Sequence, residues 1–200
     1  MFPEFHDYSI ILASSSPRRQ NFMRQLGFTF ITRPADIDES VLPSEKPGVY
    51  VDRVAREKGN TVAKEIQNPE KPTLIISADT IVVMNHQILL KPENDVHARE
   101  MLTELSGHTH SVLTSVFVTC VVGAKRSQAQ QTVQSFVTFR NLTKTEIEAY
   151  ILCGEGSDKS GAYALAGIAG YFAKEVKGSV SGVIGLPLSE LIDTMRAAIS

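Results

Sequence analysis

Two cysteines in 200 residues are too few for a disulfide framework. Cys120 falls in a strand-like run and Cys153 near a helix end, without metal-ligand spacing between them, so both read as reduced structural thiols. No apolar run approaches the ~20 residues of a membrane-spanning helix. The opening Met1-Phe2-Pro3-Glu4-Phe5-His6-Asp7 lacks a basic stretch leading into an apolar one, so no signal peptide is expected. These absences point to a soluble, cytoplasmic chain with no membrane partner. The net charge of -2 gives none of the basic surplus that a nucleic-acid polymer would call for, and the cations cluster at a few places instead. Internal repeats and low-complexity tracts are missing, which excludes a solenoid. The glycines between residues 161 and 170 let backbone approach a ligand but match neither a phosphate-binding P-loop nor a dinucleotide fingerprint.

What is present suits one core: 42% hydrophobic and 21% charged residues over 1–200, read as a single domain. Residues 8–13 read as a short buried strand, and a helix opened by Pro17 closes at Gly27. A second strand is expected at 28–31, then a proline-bearing loop at 33–47 and a helix at 48–66. Apolar runs 74–76 and 81–83 flank Asp79-Thr80, and Asn85-His86 turns the chain into a strand at 88–90. Helical spacing recurs at 95–105, a capping box of Thr143 and Glu146 opens a helix through 152, and a last helix covers 186–199. Strands at 112–122 and 133–139 are expected around a polar joint at 125–131, with a hairpin of 171–176 and 180–184 about Lys177-Gly178. Alternating elements followed by a hairpin-rich half give an α/β fold with a mixed sheet.

The most informative stretch is Ser14-Ser15-Ser16-Pro17-Arg18-Arg19. Ser16 suits an N-cap and Pro17 the first helical position, whose N–H would have no partner anyway. Two arginines then enter a turn that already carries partial positive charge, each unfavourable by roughly 0.3–1 kcal/mol. A purely structural start would prefer Glu at position 19 to complete a capping box. Hydroxyls, free N–H groups and guanidiniums together make an anion site.

Asp79 is the next candidate. A carboxylate within an apolar run needs a cation, donors or solvent, although a bulge or turn between two strands also accommodates it. Lys58 shares the helix face of Val54 and Ala55, either as a functional cation or snorkelling along an apolar edge. Lys91 closes a strand before a proline, and Glu39 lies in an acidic cluster suited to Mg²⁺ or to simple solvation. His108 and His110 would share one strand face but lack a third metal ligand. Jointly these residues describe phosphate chemistry: cations for a polyphosphate, acids for a divalent ion, one carboxylate to activate water.

In order along the chain, Leu12-Ala13-Ser14-Ser15-Ser16-Pro17-Arg18-Arg19, Glu39, Ala55-Arg56-Glu57-Lys58, Ala78-Asp79-Thr80-Ile81-Val82 and Lys91-Pro92 form a recognisable series. Leu105-Ser106-Gly107-His108-Thr109-His110, Asp158-Lys159-Ser160-Gly161-Ala162-Tyr163 and Gly185-Leu186-Pro187-Leu188 continue it. The chain resembles the Maf family of nucleoside triphosphate pyrophosphatases over nearly its whole length. That resemblance implies a twisted mixed sheet in two lobes about a central cleft, similar to inosine triphosphate pyrophosphatases, and often a homodimer. It implies hydrolysis of a nucleoside triphosphate to a monophosphate and pyrophosphate with Mg²⁺ or Mn²⁺. Asp79 would then be the proton acceptor, with Lys58 and Lys91 as catalytic residues that hold phosphates. Ser14, Ser16, Arg18 and Arg19 would bind phosphates, Glu39 and Asp79 the metal, and Arg18 and Thr80 would bear on base choice. Thr80 and the pair Asp158-Lys159 look like the branch acting on dTTP, UTP and modified uridine triphosphates. One departure stands out: Tyr163-Ala164-Leu165-Ala166-Gly167 places Ala166 where the family has a base-recognising glutamine. A nucleotide-binding regulator without useful catalysis is the competing reading, and a nucleic-acid binder rests on the arginines alone.

Overall fold

The computed structural model describes residues 1–200. Its seven-stranded mixed sheet has the order β2-β1-β3-β5-β6-β7, with β4 beside β3. The strands are β1 (Ser9–Leu12), β2 (Ile31–Thr32), β3 (Thr73–Met84), β4 (Gln87–Leu89), β5 (Thr109–Val122), β6 (Lys125–Phe139) and β7 (Ala173–Lys177). Six helices accompany them: α1 (Pro17–Gln25), α2 (Pro47–Glu65), α3 (Asp95–Leu105), α4 (Lys144–Cys153), α5 (Val180–Ile184) and α6 (Leu188–Ile199). Contacts divide the chain into one unit of Met1–Asp79, Ser115–Thr132 and Gly185–Ser200 and a second of Thr80–Thr114 and Val133–Ile184.

In the first unit β1 lies between β2 and β3, parallel to both, with Ile11 opposite Ile31 and Ile75. Side chains alternate across a strand, so β1 and β3 each feed two cores. Ile10, Leu12, Leu74, Ile76 and Ala78 pack with Met23 of α1 and Leu191 and Met195 of α6. Ile11, Ala13 and Ile75 pack with Val62 and Ala63 of α2. Burying each such aliphatic side chain contributes about 1.5–3 kcal/mol. The strand expected at 28–31 is only two residues and starts at Ile31, because Phe28 is taken by an aromatic cluster, its ring stacked 5.4 Å from Phe2.

The polar run 125–131 is strand, not a joint: β6 begins at Lys125. Side-chain hydrogen bonds replace apolar burial there. Gln128 donates to Asn60 at 2.8 Å, and Gln130 donates to the carbonyl of Asp52 at 2.8 Å and to Ser115 at 3.0 Å. Polarity alone points to a joint between two strands.

The second unit builds its own core from Val82, Leu89, Leu102, Leu105, Val137, Phe139, Tyr150 and Phe172. β3 and β4 pair antiparallel through Val82 and Leu89, and the turn residues Asn85 and His86 both have positive φ. The capping box of α4 forms as expected, Thr143 Oγ1 accepting from Glu146 N while the Glu146 carboxylate accepts from Thr143 N. Residues 180–184 are helical rather than the second strand of a hairpin. The Ser179 hydroxyl accepts from Gly182 N at 3.0 Å, and that local bond turns a β-prone sequence into α5.

Candidate active site

Alternation along β3 decides where Asp79 points. Ser77, two residues earlier on the same face, donates from Oγ to the carbonyl of Ala55 on α2 at 2.7 Å. Asp79 therefore faces α2 as well and meets Lys58 Nζ at 2.9 Å. β3 runs unbroken through position 79, which removes the turn reading of that residue. Lys58 is not snorkelling: its side chain is 12% exposed, and its ammonium also touches Glu39 Oε2 at 3.0 Å.

α2 comes this close because Gly59 has no side chain. A Cβ there would lie 2.6 Å from Ser77 Oγ and 2.6 Å from the Phe117 ring. A lone glycine within a helical pattern was the only signal of that contact in the sequence.

Asp79 is 7% exposed, and burial raises its carboxyl above the usual range while Lys58 and Arg19 pull the other way. A raised carboxyl is matched to taking a proton near neutral pH. Replacing a buried ion pair with apolar groups is often neutral or stabilising, so fold stability alone is a poor reason for this one.

Arg19 turns back from the start of α1. Its Nε donates to the carbonyl of Gly185 at 2.8 Å and Nη1 to Ser14 Oγ at 3.4 Å. Gly185 has φ 129, a conformation that L side chains rarely adopt, and so delivers that carbonyl ahead of α6. Asp79 and Glu39 act on Arg19 electrostatically, as does Arg18. The expected capping bond from the Ser16 hydroxyl is absent. Ser14 Oγ instead accepts from Ser16 N at 3.2 Å, so the earlier serine organises the turn.

The loop bearing Glu39 is held by residues that the sequence reading passed over. Tyr50 donates from its hydroxyl to the Glu39 carbonyl at 2.8 Å, and Arg53 donates to the Ser40 carbonyl at 2.9 Å. Arg53 also grips Glu45 through two bonds of 2.7 and 2.8 Å, lowering that carboxyl to about 2. Ser14, Arg19, Lys58, Asp79 and Glu39 are thus gathered within the first unit. Two carboxylates meeting one ammonium can also meet one small divalent ion. Mg²⁺ commonly takes one or two carboxylates and completes its shell with water and phosphates, so the donor set fits.

Ser16 and Arg18 belong to the first unit as well, and Thr80, Lys91, Asp158, Lys159 and Ala166 to the second. The Thr80 hydroxyl bonds that of Thr114 at 3.0 Å, and Thr114 also bonds the carbonyl of Gly182 at 2.8 Å. Ser160 Oγ accepts from Val82 N at 2.8 Å and donates to the Leu89 carbonyl, while Gly161 N donates to the Leu90 carbonyl at 3.2 Å. These bonds set the ion-paired Asp158 and Lys159 beside the end of β4, where exposed Lys91 follows. Ala166 is exposed in a turn that Gly167 N closes onto the Ala164 carbonyl at 3.0 Å. His108 and His110 do not share a strand face, because β5 starts only at Thr109. His110 is buried against Tyr163, its Nε2 2.8 Å from the phenol oxygen, and burial lowers it to about 4.

The model of the family described as Maf-like protein matches residues 9–198. A dTTP/UTP pyrophosphatase of Anaeromyxobacter dehalogenans is 45% identical over 189 residues, covering 94% of this chain and 93% of the relative. One of Pasteurella multocida, under the same description, is 43% identical over 197 residues and 96% of each chain. A solved dITP/XTP pyrophosphatase of Mycobacterium abscessus aligns with TM-score 0.33 and 12% identity, over 73% of this chain and 95% of that one, too loosely to bear on the fold. With nearly its full length matched both to the family model and to such relatives, the chain belongs to the Maf-like protein family.

Proposed function

We propose that the protein is a nucleoside triphosphate pyrophosphatase acting on dTTP, UTP or modified pyrimidine nucleotides, releasing a monophosphate and pyrophosphate. The observation that carries this reading is Asp79, a buried carboxylate with a raised proton affinity, held by Lys58 beside Arg19 and Glu39. Its setting is that of a proton acceptor surrounded by phosphate-binding charge. Relatives described as dTTP/UTP pyrophosphatases, matched over nearly the whole chain, supply the substrate class.

In this reading Asp79 takes a proton from water as the water oxygen bonds to the α-phosphorus. The bridging oxygen then departs with pyrophosphate. Arg19, with Ser14 orienting it, neutralises phosphate charge, and Arg18, Ser16 and Lys91 add to that neutralisation. Lys58 positions Asp79 and shares the developing charge. Asp79 and Glu39 would hold Mg²⁺ or Mn²⁺, which when bound supplies Lewis-acid stabilisation of the phosphate oxygens. Thr80 and the Asp158-Lys159 pair would contact the nucleotide, and Ala166, lacking an amide, would leave base choice more relaxed than a hydrogen-bonding residue does. A cytoplasmic setting suits such a substrate, and no helix is long and apolar enough to cross a membrane.

Incubation with a nucleotide panel and Mg²⁺ should release pyrophosphate, and Asp79→Asn should lower turnover by roughly 10²–10⁴-fold with the fold retained. Thermal stabilisation by nucleotides without any pyrophosphate would refute hydrolysis and favour the regulator. Full activity in Asp79→Asn would remove Asp79 from the mechanism.

A further inference from the structure

Glu155 follows the left-handed Gly154 that ends α4. Its carboxylate accepts from the Tyr150 hydroxyl at 2.9 Å, from Ile168 N at 3.0 Å and from Ala169 N at 3.4 Å. The Tyr150 hydroxyl in turn accepts from Ala164 N at 3.1 Å. Both ends of the turn carrying Ala166 thus hang from one Glu–Tyr pair: Ala164 through the phenol, Ile168 and Ala169 through the carboxylate. Gly167 completes the fit, since a Cβ there would stand 1.8 Å from Glu155 Oε1. Tyr150 is itself fixed, its ring packed at 5.0 Å against Phe172.

We propose that Glu155 is a positioning residue for base selection, acting by fixing the turn of residues 164–169. The inference rests on the reading of Ala166 as the residue beside the base. Charge-assisted bonds from two backbone N–H groups and a phenol are roughly twice as strong as neutral ones. An amide does not reproduce them: a glutamine oxygen would accept from Ile168, while its NH₂ group, which cannot accept, would face the phenol. With Ala166 offering no side-chain hydrogen bond, discrimination at this turn depends on backbone placement, and backbone placement depends on Glu155.

The test measures pyrophosphate release from dTTP, UTP, CTP and dGTP by wild type, Glu155→Ala, Glu155→Gln, Tyr150→Phe and Ala166→Gln. Glu155→Ala should compress the ratio of best to worst kcat/KM by roughly 10-fold, through KM, with kcat for the best substrate within about 2-fold of wild type. Glu155→Gln and Tyr150→Phe should fall between, and they decide the matter on the same ratios if the alanine variant does not fold. A purely structural glutamate would lower stability, or kcat for every base alike, and leave the ratios unchanged. If Ala166→Gln shifts the ranking while the Glu155 and Tyr150 variants do not, the proposal is overturned and the base-reading turn stands. If no variant alters the ranking, both fall. If wild type turns over no triphosphate, the hydrolase reading fails and takes this proposal with it.

Discussion

Alanine at position 59 should destabilise the protein, against the ordinary rule for a helix interior. By propensity Gly→Ala gains about 1 kcal/mol in the middle of a helix. Here the new methyl would lie 2.6 Å from Phe117 Cδ1, 2.6 Å from Ser77 Oγ and 3.0 Å from Phe117 Cε1. Carbon atoms pack best at about 3.5–4.0 Å, so a neighbour must retreat by about 1 Å. Neither neighbour has room. Phe117 is 3% exposed, and Ser77 is 0% exposed with its hydroxyl committed to the Ala55 carbonyl. Overpacking of this kind costs about 1–3 kcal/mol, which outweighs the propensity gain and leaves a net loss near 1 kcal/mol. At this chain length that lowers Tm by about 2–4 °C. The easier yielding motion is α2 lifting from β3, which draws the neighbouring Lys58 away from Asp79. Turnover should therefore fall by about 10-fold or more, since displacements near 1 Å at a reacting group can cost 10²-fold. Thermal unfolding and pyrophosphate release, measured on one preparation, check both effects. A Gly59→Ala variant as stable and as active as wild type would refute the close seating of α2 on Phe117 and Ser77.

Three further outcomes follow from the electrostatics. Because burial raises the Asp79 carboxyl above its unfolded value of 3.8, ionising it in the native protein opposes folding, and the stability its neutral form provides is lost as pH rises through the raised value. Asp79→Asn should accordingly melt higher than wild type at pH 8 in chelator, with the difference closing toward pH 4; equal melting at both pH values would contradict the burial argument. His110, depressed from 6.5 to about 4, contributes stability above pH 6.5 that is lost as pH falls toward 4, so His110→Gln should flatten the stability profile across that window in acid-titrated unfolding curves. Arg53→Lys abandons the two-pronged grip on Glu45 and loosens the loop that presents Glu39. It should raise the Mg²⁺ concentration giving half-maximal pyrophosphate release by roughly 10-fold with kcat little changed, and an unaltered metal titration would detach that loop from ion binding.

Sequence periodicity located five of the six helices, α5 being the exception, because their signals are local. Thr143 and Glu146 form the expected capping box, and α3 occupies Asp95–Leu105 as its apolar stripe implied. The anomaly at Arg19 was also legible, since a cation in a first turn conflicts with its own helix. What could not be read was where strand side chains and loops find partners across long separations. β6 is strand because its glutamines bond to α2 and β5, and residues 180–184 form a helix because the Ser179 hydroxyl accepts from Gly182 N. Nor does spacing reveal that Tyr50 and Arg53 hold the chain at Glu39 and Ser40, or that Glu155 binds a turn thirteen residues on. Such bonds depend on tertiary placement, which a one-dimensional pattern does not contain.

Lys58 between Asp79 and Glu39 amounts to a counter-ion tethered to the chain. The two carboxylates share one positive charge that no chelator can remove, so folding at this point does not wait on an ion as it does in a zinc finger. The divalent ion we propose there would compete with a resident charge rather than fill a void. On the metal-dependent hydrolysis proposed above, removing the ion would leave this part of the fold in place, so that activity lost to a chelator would return when the ion is added back.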